Sequence, residues 1–214
     1  MTSKFIAEYL HLMPDVFEGV NSLKDLQNKI KKMAGHPNYS HFAGFLWEYV
    51  VAMYFYKFGE HHTVNVCDYR QTYAGSHGDD ADYGLDGYGE TFLGNPILCQ
   101  VKYRSSKNNK IGKEKNQKPG ALDTFVNEIC RNLSLTDKQV IVLLCSTTNE
   151  FSNLKNSNAM QNLPFSKMVI EKLKERGAPV ERVIFRVYDF SYWEIWLTNV
   201  RFWNFVRTDV QPGQ

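Results

Sequence analysis

The stretch of sequence that decides the fold spans residues 84–103 and reads GLDGYGETFLGNPILCQVKY. Residues 97–103 form a strand-like run whose polar members Gln100 and Lys102, two positions apart, point to the same face of a β-strand. Asp86 lies upstream in a bend between glycines, where the backbone can turn tightly and approach a ligand. Burying an acid, an amide and an ammonium costs free energy unless they pair with one another or bind an ion. The stretch therefore predicts a pocket that could hold a hard divalent cation beside a phosphate.

Each of these residues also has an ordinary explanation. An aspartate in a turn commonly caps its own backbone, and Gln100 and Lys102 also suit a solvated strand end. Taken together, the three groups have the spacing of a hairpin that brings the bend beside the strand. This combination favours a shared site.

Glu48 supports the same hypothesis from a different element. It lies in a predicted helix over 41–58 that is apolar almost all round. Its neighbours three and four positions away are apolar or very small: Gly44, Phe45, Val51 and Ala52. An acid on such a face is expected to pair with a lysine or a metal ion, or to stay protonated. The alternative is a helix-surface glutamate that leans out to solvent.

Hydrophobic periodicity predicts an alternation of helices and strands along the chain. Helices are expected at 3–13, 22–35, 41–58, 119–133, 150–161, 166–176 and 189–205. Strands are expected at 63–69, 83–88, 97–103, 139–146 and 182–188. The first three strands should pair mostly antiparallel, because their connections are short, and the strand after helix 119–133 can join the sheet in parallel. The expected fold class is α/β, with a mixed central sheet flanked by helices.

The length of 214 residues and the 43% hydrophobic content suit a single domain with a full core. We expect an N-terminal helical appendage over 1–36, the main domain over 37–206, and a polar tail or linker over 207–214. No apolar run approaches the ~20 residues that span a bilayer, and the four cysteines are widely spaced, as in reduced intracellular proteins. A soluble, intracellular protein with no membrane partner is therefore expected.

The ordered motifs resemble those of the PD-(D/E)XK nuclease superfamily and, within it, the Mrr-like restriction endonucleases. Members of that family have a G-φ-D-G bend (φ apolar), here residues 84–87, and an apolar strand with Q-x-K, here residues 100–102. An early core helix with a glutamate is matched by residues 45–48, FLWE. The resemblance covers roughly residues 41–200. It implies a restriction-endonuclease-like core with the element order αβββαβ.

The resemblance also implies a function and a role for each residue. The chain is expected to be a Mg²⁺- or Mn²⁺-dependent DNA endonuclease that leaves a 5′-phosphate and a 3′-hydroxyl. Asp86 corresponds to the central metal ligand, Gln100 to a second through its amide oxygen, and the carbonyl of Val101 to a further one. Glu48 corresponds to a ligand that acts directly or through water. Lys102 corresponds to the residue that orients or deprotonates the attacking water and stabilises the transition state.

The chain departs from the usual superfamily pattern in two features, a neutral residue at position 100 and an acidic cluster before the motif. Gln100 is neutral, so the site has one fewer negative charge than the Asp/Glu version and should hold a cation less tightly. Mrr-like enzymes share this glutamine, so it does not argue against activity. An acidic cluster at Asp79, Asp80 and Asp82 precedes the motif, and a solvated loop is favoured over a second metal site.

A basic segment follows the predicted catalytic strand. Its lysines are expected to contact DNA phosphates and to give salt-dependent, sequence-independent affinity for duplex DNA: Lys107, Lys110, Lys113, Lys115 and Lys118. Arg104 is a candidate for a flanking phosphate. The alternative is a flexible solvated loop. The net charge of +2 is too small to mark the whole protein as a polyanion binder, so any nucleic-acid surface must be local.

The C-terminal pattern predicts an aromatic helix whose first role is core packing, with Trp193, Trp196, Leu197, Val200 and Trp203 at helical spacing. Its aromatic excess leaves open a homodimer seam or a surface against a fused helicase or recognition module, in which case the chain is the nuclease module of a larger protein. Two other function classes stay open. One is a catalytically inactive nucleic-acid-binding module, and the other is a structural interaction domain in which Lys102 is ion-paired to Asp86 and Glu48.

Overall fold

A computed structural model describes residues 15–58, 85–105, 121–149 and 165–210 of the chain. Within these ranges the elements follow one another as α1 Leu23–Lys31, α2 Tyr39–Phe58, β1 Gly87–Glu90, β2 Pro96–Lys102, α3 Ala121–Leu135, β3 Val140–Ser146, α4 Phe165–Glu175, a 3₁₀ turn Val180–Arg182, β4 Val183–Tyr188, α5 Phe190–Trp196 and α6 Val200–Val210. The predicted helices at 3–13 and 150–161 and the predicted strand at 63–69 lie outside the described residues.

The four described strands form one sheet in the order β1-β2-β3-β4. β1 pairs antiparallel with β2, and β2, β3 and β4 are mutually parallel. The mixed pairing confirms the expectation that the strand after the α3 helix joins the sheet in parallel. The chain is therefore an α/β protein with a mixed sheet flanked by helices.

Two hydrophobic layers cover the two faces of the sheet. One layer packs α1, α2, α5 and α6 on the face that carries Ile97, Cys99 and Val101. The other packs α3 and α4 on the face that carries Leu98. Every residue of β3 is buried, as expected for a central parallel strand that is covered on both sides.

Helix α1 begins as the sequence predicts. The Ser22 hydroxyl accepts a hydrogen bond from the Asp25 backbone N–H at 3.1 Å, which satisfies one of the open donors of the first turn. Leu23, Leu26 and Ile30 are buried in the same hydrophobic layer as α2. The turn that follows the helix ends at Gly35, whose φ of +99° is open to glycine and strained for other residues.

Helix α2 is buried on most sides, in agreement with its apolar sequence. Trp47 and Tyr54 each meet Trp193 of α5 edge to face, with ring centroids 5.3 Å and 5.0 Å apart. Within the described ranges, no helix combines the length and the apolarity needed to cross a membrane. The three cysteines that the structure describes, Cys99, Cys130 and Cys145, are free thiols, whereas Cys67 lies outside those residues.

The prediction of one continuous aromatic helix over 189–205 is wrong. Helix α5 ends at Trp196, and α6 begins at Val200. Asn199 separates the two helices, because its side-chain oxygen accepts from the Arg201 backbone N–H at 2.9 Å and so caps α6. Trp196 and Val200 are each 55% exposed, so the prediction that they pack in the core is also wrong.

Ion pairs join α3 and α4. The Asp123 carboxylate accepts from Lys172 Nζ at 2.6 Å and lies 3.3 Å from Arg176, and the hydrogen bond from Lys172 lowers the pKa of Asp123. This stabilisation is present above the pKa of the unfolded state and is lost as the pH falls through the lower folded-state pKa. Asp123→Asn should therefore reduce the free energy of unfolding by up to about 1 kcal/mol at pH 7.

Urea unfolding at pH 7 and at pH 3 checks this prediction. The difference between the wild type and the Asp123→Asn variant should shrink at the lower pH, because the carboxyl of the unfolded wild type, with its ordinary pKa of 3.8, is then mostly protonated. An equal difference at both pH values would show that the charge on Asp123 is not what joins the two helices.

Candidate active site

The connection between β1 and β2 positions the candidate site. The Thr91 backbone N–H donates to the Asn95 carbonyl at 2.9 Å, and the Thr91 hydroxyl accepts from the Asn95 backbone N–H at 3.0 Å. Gly94 has a φ of +72°, and a Cβ atom there would lie 2.5 Å from Lys138 Nζ, so a larger residue would strain this turn. The turn holds Gly87 opposite Cys99, which places the preceding residue beside the next position of β2.

Asp86 meets three donors from β2 through a single oxygen atom. Its Oδ2 atom lies 2.5 Å from Gln100 Nε2 and 2.7 Å from the Val101 backbone nitrogen. Lys102 Nζ lies 3.7 Å from the same oxygen. The Asp86 backbone N–H also donates to the Cys99 carbonyl at 2.9 Å. The acid, the amide and the ammonium that the sequence singled out are thus brought together.

The three side chains differ in burial. Gln100 is 1% exposed, whereas the side chains of Lys102 and Asp86 are 24% and 20% exposed. The carboxylate and the ammonium are therefore partly open to solvent, while the amide lies beneath them. Gln100 Oε1 is buried and has no hydrogen-bond partner among the residues that the structure describes.

Carboxylate and amide oxygens suit a hard divalent cation, although in this structure Gln100 turns its amide nitrogen, and not its oxygen, to Asp86. Buried polar atoms without a partner are rare in folded proteins, and an ion is one of the groups that satisfies them. Asp86 and Gln100 could hold such an ion through oxygen atoms. The Val101 carbonyl stays a predicted further ligand.

Glu48 lies on a helix that packs on the other face of the sheet. It lies half-buried on α2, which packs on the face that carries Cys99 and Val101, whereas Gln100 and Lys102 alternate with those residues and point to the opposite face. A hydrogen bond with Cys145 and burial raise the pKa of the Cys99 thiol, and the charges of Asp86 and Glu48 raise it further. A role for Glu48 as a ligand stays a prediction.

Hydroxyl-bearing residues lie at the end of β3, beside the site. Lys102 pairs with Ser146, and Thr147 comes next. The Thr147 hydroxyl accepts from the Arg104 backbone N–H at 2.5 Å and donates to the Arg104 carbonyl at 2.7 Å, so it fixes the chain just after β2. The carboxyl ends of parallel strands are the usual place for ligands in α/β proteins, and the polar run of residues 146–149 after an apolar strand is the signal that could have indicated this edge.

Other predicted residues are described only in part. The Arg104 guanidinium donates to the Tyr103 carbonyl at 2.7 Å, so it already has a backbone partner. The lysines predicted to contact DNA lie outside the described residues: Lys107, Lys110, Lys113, Lys115 and Lys118. Gly84 and the acidic cluster of Asp79, Asp80 and Asp82 lie outside them as well. The contact of the Val101 backbone N–H with Asp86 carried no sequence signal, because it depends on strand register.

The site brings a carboxylate, an amide and an ammonium together at a partly exposed position on β2, and proteins use side chains of these types to bind hard cations and to contact phosphates. In comparisons with known proteins, the chain gives no match to a protein-family model, to a curated protein or to a solved structure.

Proposed function

We propose that this chain is a metal-dependent DNA endonuclease with a restriction-endonuclease-like core, acting on phosphodiester bonds of duplex DNA. The observation that carries the proposal is the meeting of Gln100, Val101 and Lys102 at the Asp86 carboxylate. The Q-x-K spacing alone would not have required that meeting. The partial exposure of Asp86 and Lys102 further supports a site that a substrate can reach.

Asp86 and Gln100 would hold Mg²⁺ or Mn²⁺, with Val101 and Glu48 as further proposed ligands. A divalent cation bound there would neutralise charge at the scissile phosphate and make a nearby water more acidic. Asp86 and Lys102 together carry no net charge, so the affinity for the cation is expected to be modest. The substrate phosphates would add the negative charge that this site lacks.

The residues of the chain have separate tasks in this proposal. Asp86 is held in one orientation by two hydrogen bonds from β2, so its carboxylate is preorganised. The Lys102 ammonium is positioned by the same strand to hold the attacking water and to stabilise the charge that builds up on the phosphate. Arg104 and the lysines between 107 and 118 would contact the flanking phosphates.

Nicking of supercoiled plasmid tests this proposal. Wild-type protein should nick the plasmid with Mg²⁺ or Mn²⁺ and not with EDTA. Asp86→Asn should lower the nicking rate by about 10²-fold or more, because the amide oxygen can still accept the two hydrogen bonds but no longer offers the cation a negative charge. Asp137→Asn makes the same chemical change at an exposed loop position before β3 and should leave the rate unchanged.

A structural role for the site is the second candidate, because the Lys102–Asp86 ion pair is present at 3.7 Å. In that case divalent cations should not raise the melting temperature, and Asp86→Ala and Lys102→Ala should both reduce stability. A binding module without catalytic activity should instead retain DNA affinity and show no metal-dependent nicking in the wild type. Metal-dependent nicking that Asp86→Asn removes would reject both candidates.

A further inference from the structure

The amide of Gln100 points the wrong way for a metal ligand. Its NH₂ group faces Asp86, with Nε2 2.5 Å from Oδ2, while Oε1 is buried without a partner among the described residues. A cation held by Asp86 and Gln100 requires the amide oxygen, since the amide nitrogen is a donor and has no lone pair for a metal. The arrangement is therefore one of a closed, self-paired site.

Only one amide orientation is stable beside a bare carboxylate. Rotation of the amide by half a turn would exchange Nε2 and Oε1, and would set two oxygen atoms 2.5 Å apart with no proton between them. Such oxygens repel unless a cation lies between them. The hydrogen bond to Asp86 and the binding of a cation are consequently alternatives that exclude each other.

We propose that Gln100 is a two-state gate on the cation site. In the cation-free protein its amide N–H group occupies the Asp86 carboxylate, and a divalent cation binds only when the amide turns over and presents Oε1. This inference rests on the proposed function and deepens it, because it concerns how the same site is regulated.

The proposed gate gives a physical reason for a glutamine, and not an acid, at position 100. A glutamate at position 100 would attract the cation more strongly, but in the cation-free protein it would place a second carboxylate against Asp86. Glutamine instead satisfies Asp86 in the empty state and gives up that hydrogen bond when the cation arrives. The protein is thus stable without the cation at the cost of weaker cation binding.

Thermal unfolding of Gln100→Glu provides the first test. In EDTA this variant should melt roughly 4–10 °C below the wild type, because a buried charge-assisted hydrogen bond becomes a repulsion between carboxylates. Mn²⁺ should raise its melting temperature by more than it raises that of the wild type at the same concentration. Equal stability in EDTA, or a deficit that Mn²⁺ does not reduce, would overturn the proposal.

Gln27→Glu is the matched control. Gln27 is 7% exposed, and its side-chain amide donates to the Arg104 carbonyl at 3.2 Å, so this substitution also replaces a buried amide donor with a carboxylate. Its effect on the melting temperature should be the same with Mn²⁺ and with EDTA, once the shift of the wild type is subtracted. A rescue by Mn²⁺ as large as that of Gln100→Glu would show that the effect is not specific to the site.

The side-chain amide resonances of Gln100 give a second test that needs no variant. In EDTA one amide proton of the isotopically labelled wild type should resonate downfield of ordinary glutamine amides, because it is hydrogen-bonded to a carboxylate. Saturating Mg²⁺ should move it to the range of ordinary glutamine amides. If the protein binds Mg²⁺ and nicks DNA while this proton stays downfield, the gate is wrong and the proposed function stands. If neither the amide resonances nor DNA nicking responds to cations, both the gate and the proposed function are wrong.

Discussion

Replacement of Lys102 by methionine is expected to slow DNA nicking by roughly 10²–10⁴-fold, the range associated with a positioned proton-transfer or charge-stabilising group. Methionine keeps most of the length of the side chain and removes the ammonium. The cation should bind Lys102→Met at least as tightly as the wild type, because the positive charge 3.7 Å from Asp86 Oδ2 is gone. Nicking rates and Mn²⁺ titrations of the same preparation measure both effects.

Lys174→Met is the control for this experiment. Lys174 is exposed on α4 and pairs with Glu171 at 2.9 Å, so its loss should change neither nicking nor cation binding. The unfolding free energy of Lys102→Met should fall by no more than about 1 kcal/mol, since the ion pair that it removes is partly exposed. Nicking at the wild-type rate by Lys102→Met would exclude a catalytic role for this lysine.

Trp193→Ala is expected to lower the free energy of unfolding by about 3–5 kcal/mol. Trp193 is fully buried where α5 meets α2, in edge-to-face contact with Trp47 and Tyr54. Its indole N–H also donates to the Tyr188 carbonyl at 2.6 Å, which ties α5 to the end of β4. Removal of the ring therefore leaves a large cavity and removes the hydrogen bond to the Tyr188 carbonyl. Urea unfolding followed by circular dichroism measures the change.

The same helix supplies a matched control, because Trp196 lies three residues further on and is 55% exposed. It stacks on Tyr192 with ring centroids 5.9 Å apart, so Trp196→Ala should cost less than about 1 kcal/mol. Similar losses for the two variants would contradict the division between a buried and an exposed face of α5.

Strong local patterns were sufficient to predict most of the described elements. The Ser22 cap, the all-round apolar α2 and the fully buried β3 were all indicated by the sequence, because capping chemistry and hydrophobic periodicity are properties of neighbouring residues. The break between α5 and α6 was missed, although Asn199 is a good N-cap residue. The aromatic spacing continues across the break, so the periodicity does not reveal it. The indole N–H of Trp203 donates to the Leu197 carbonyl and so stabilises the break between the two helices.

Glu48 shows what helical spacing cannot predict. Helical spacing correctly indicated that it lies among apolar neighbours, since those neighbours are set by the helix period alone. Spacing along one helix carries no information about which face of the sheet that helix covers. Only the tertiary structure showed that α2 packs on the side of the sheet that carries Cys99.

The sequence by itself determined that Gln100 and Lys102 share a face, because side chains alternate along any strand. The hairpin spacing favoured a meeting of Asp86 with them but did not fix which atoms would touch. That contact depends on the register between β1 and β2, which the turn at residues 91–95 fixes, and a shift by one residue would move Asp86 to the opposite face. Register is a property of two paired strands and their connection, so the meeting at Asp86 Oδ2 was decided by the tertiary structure alone.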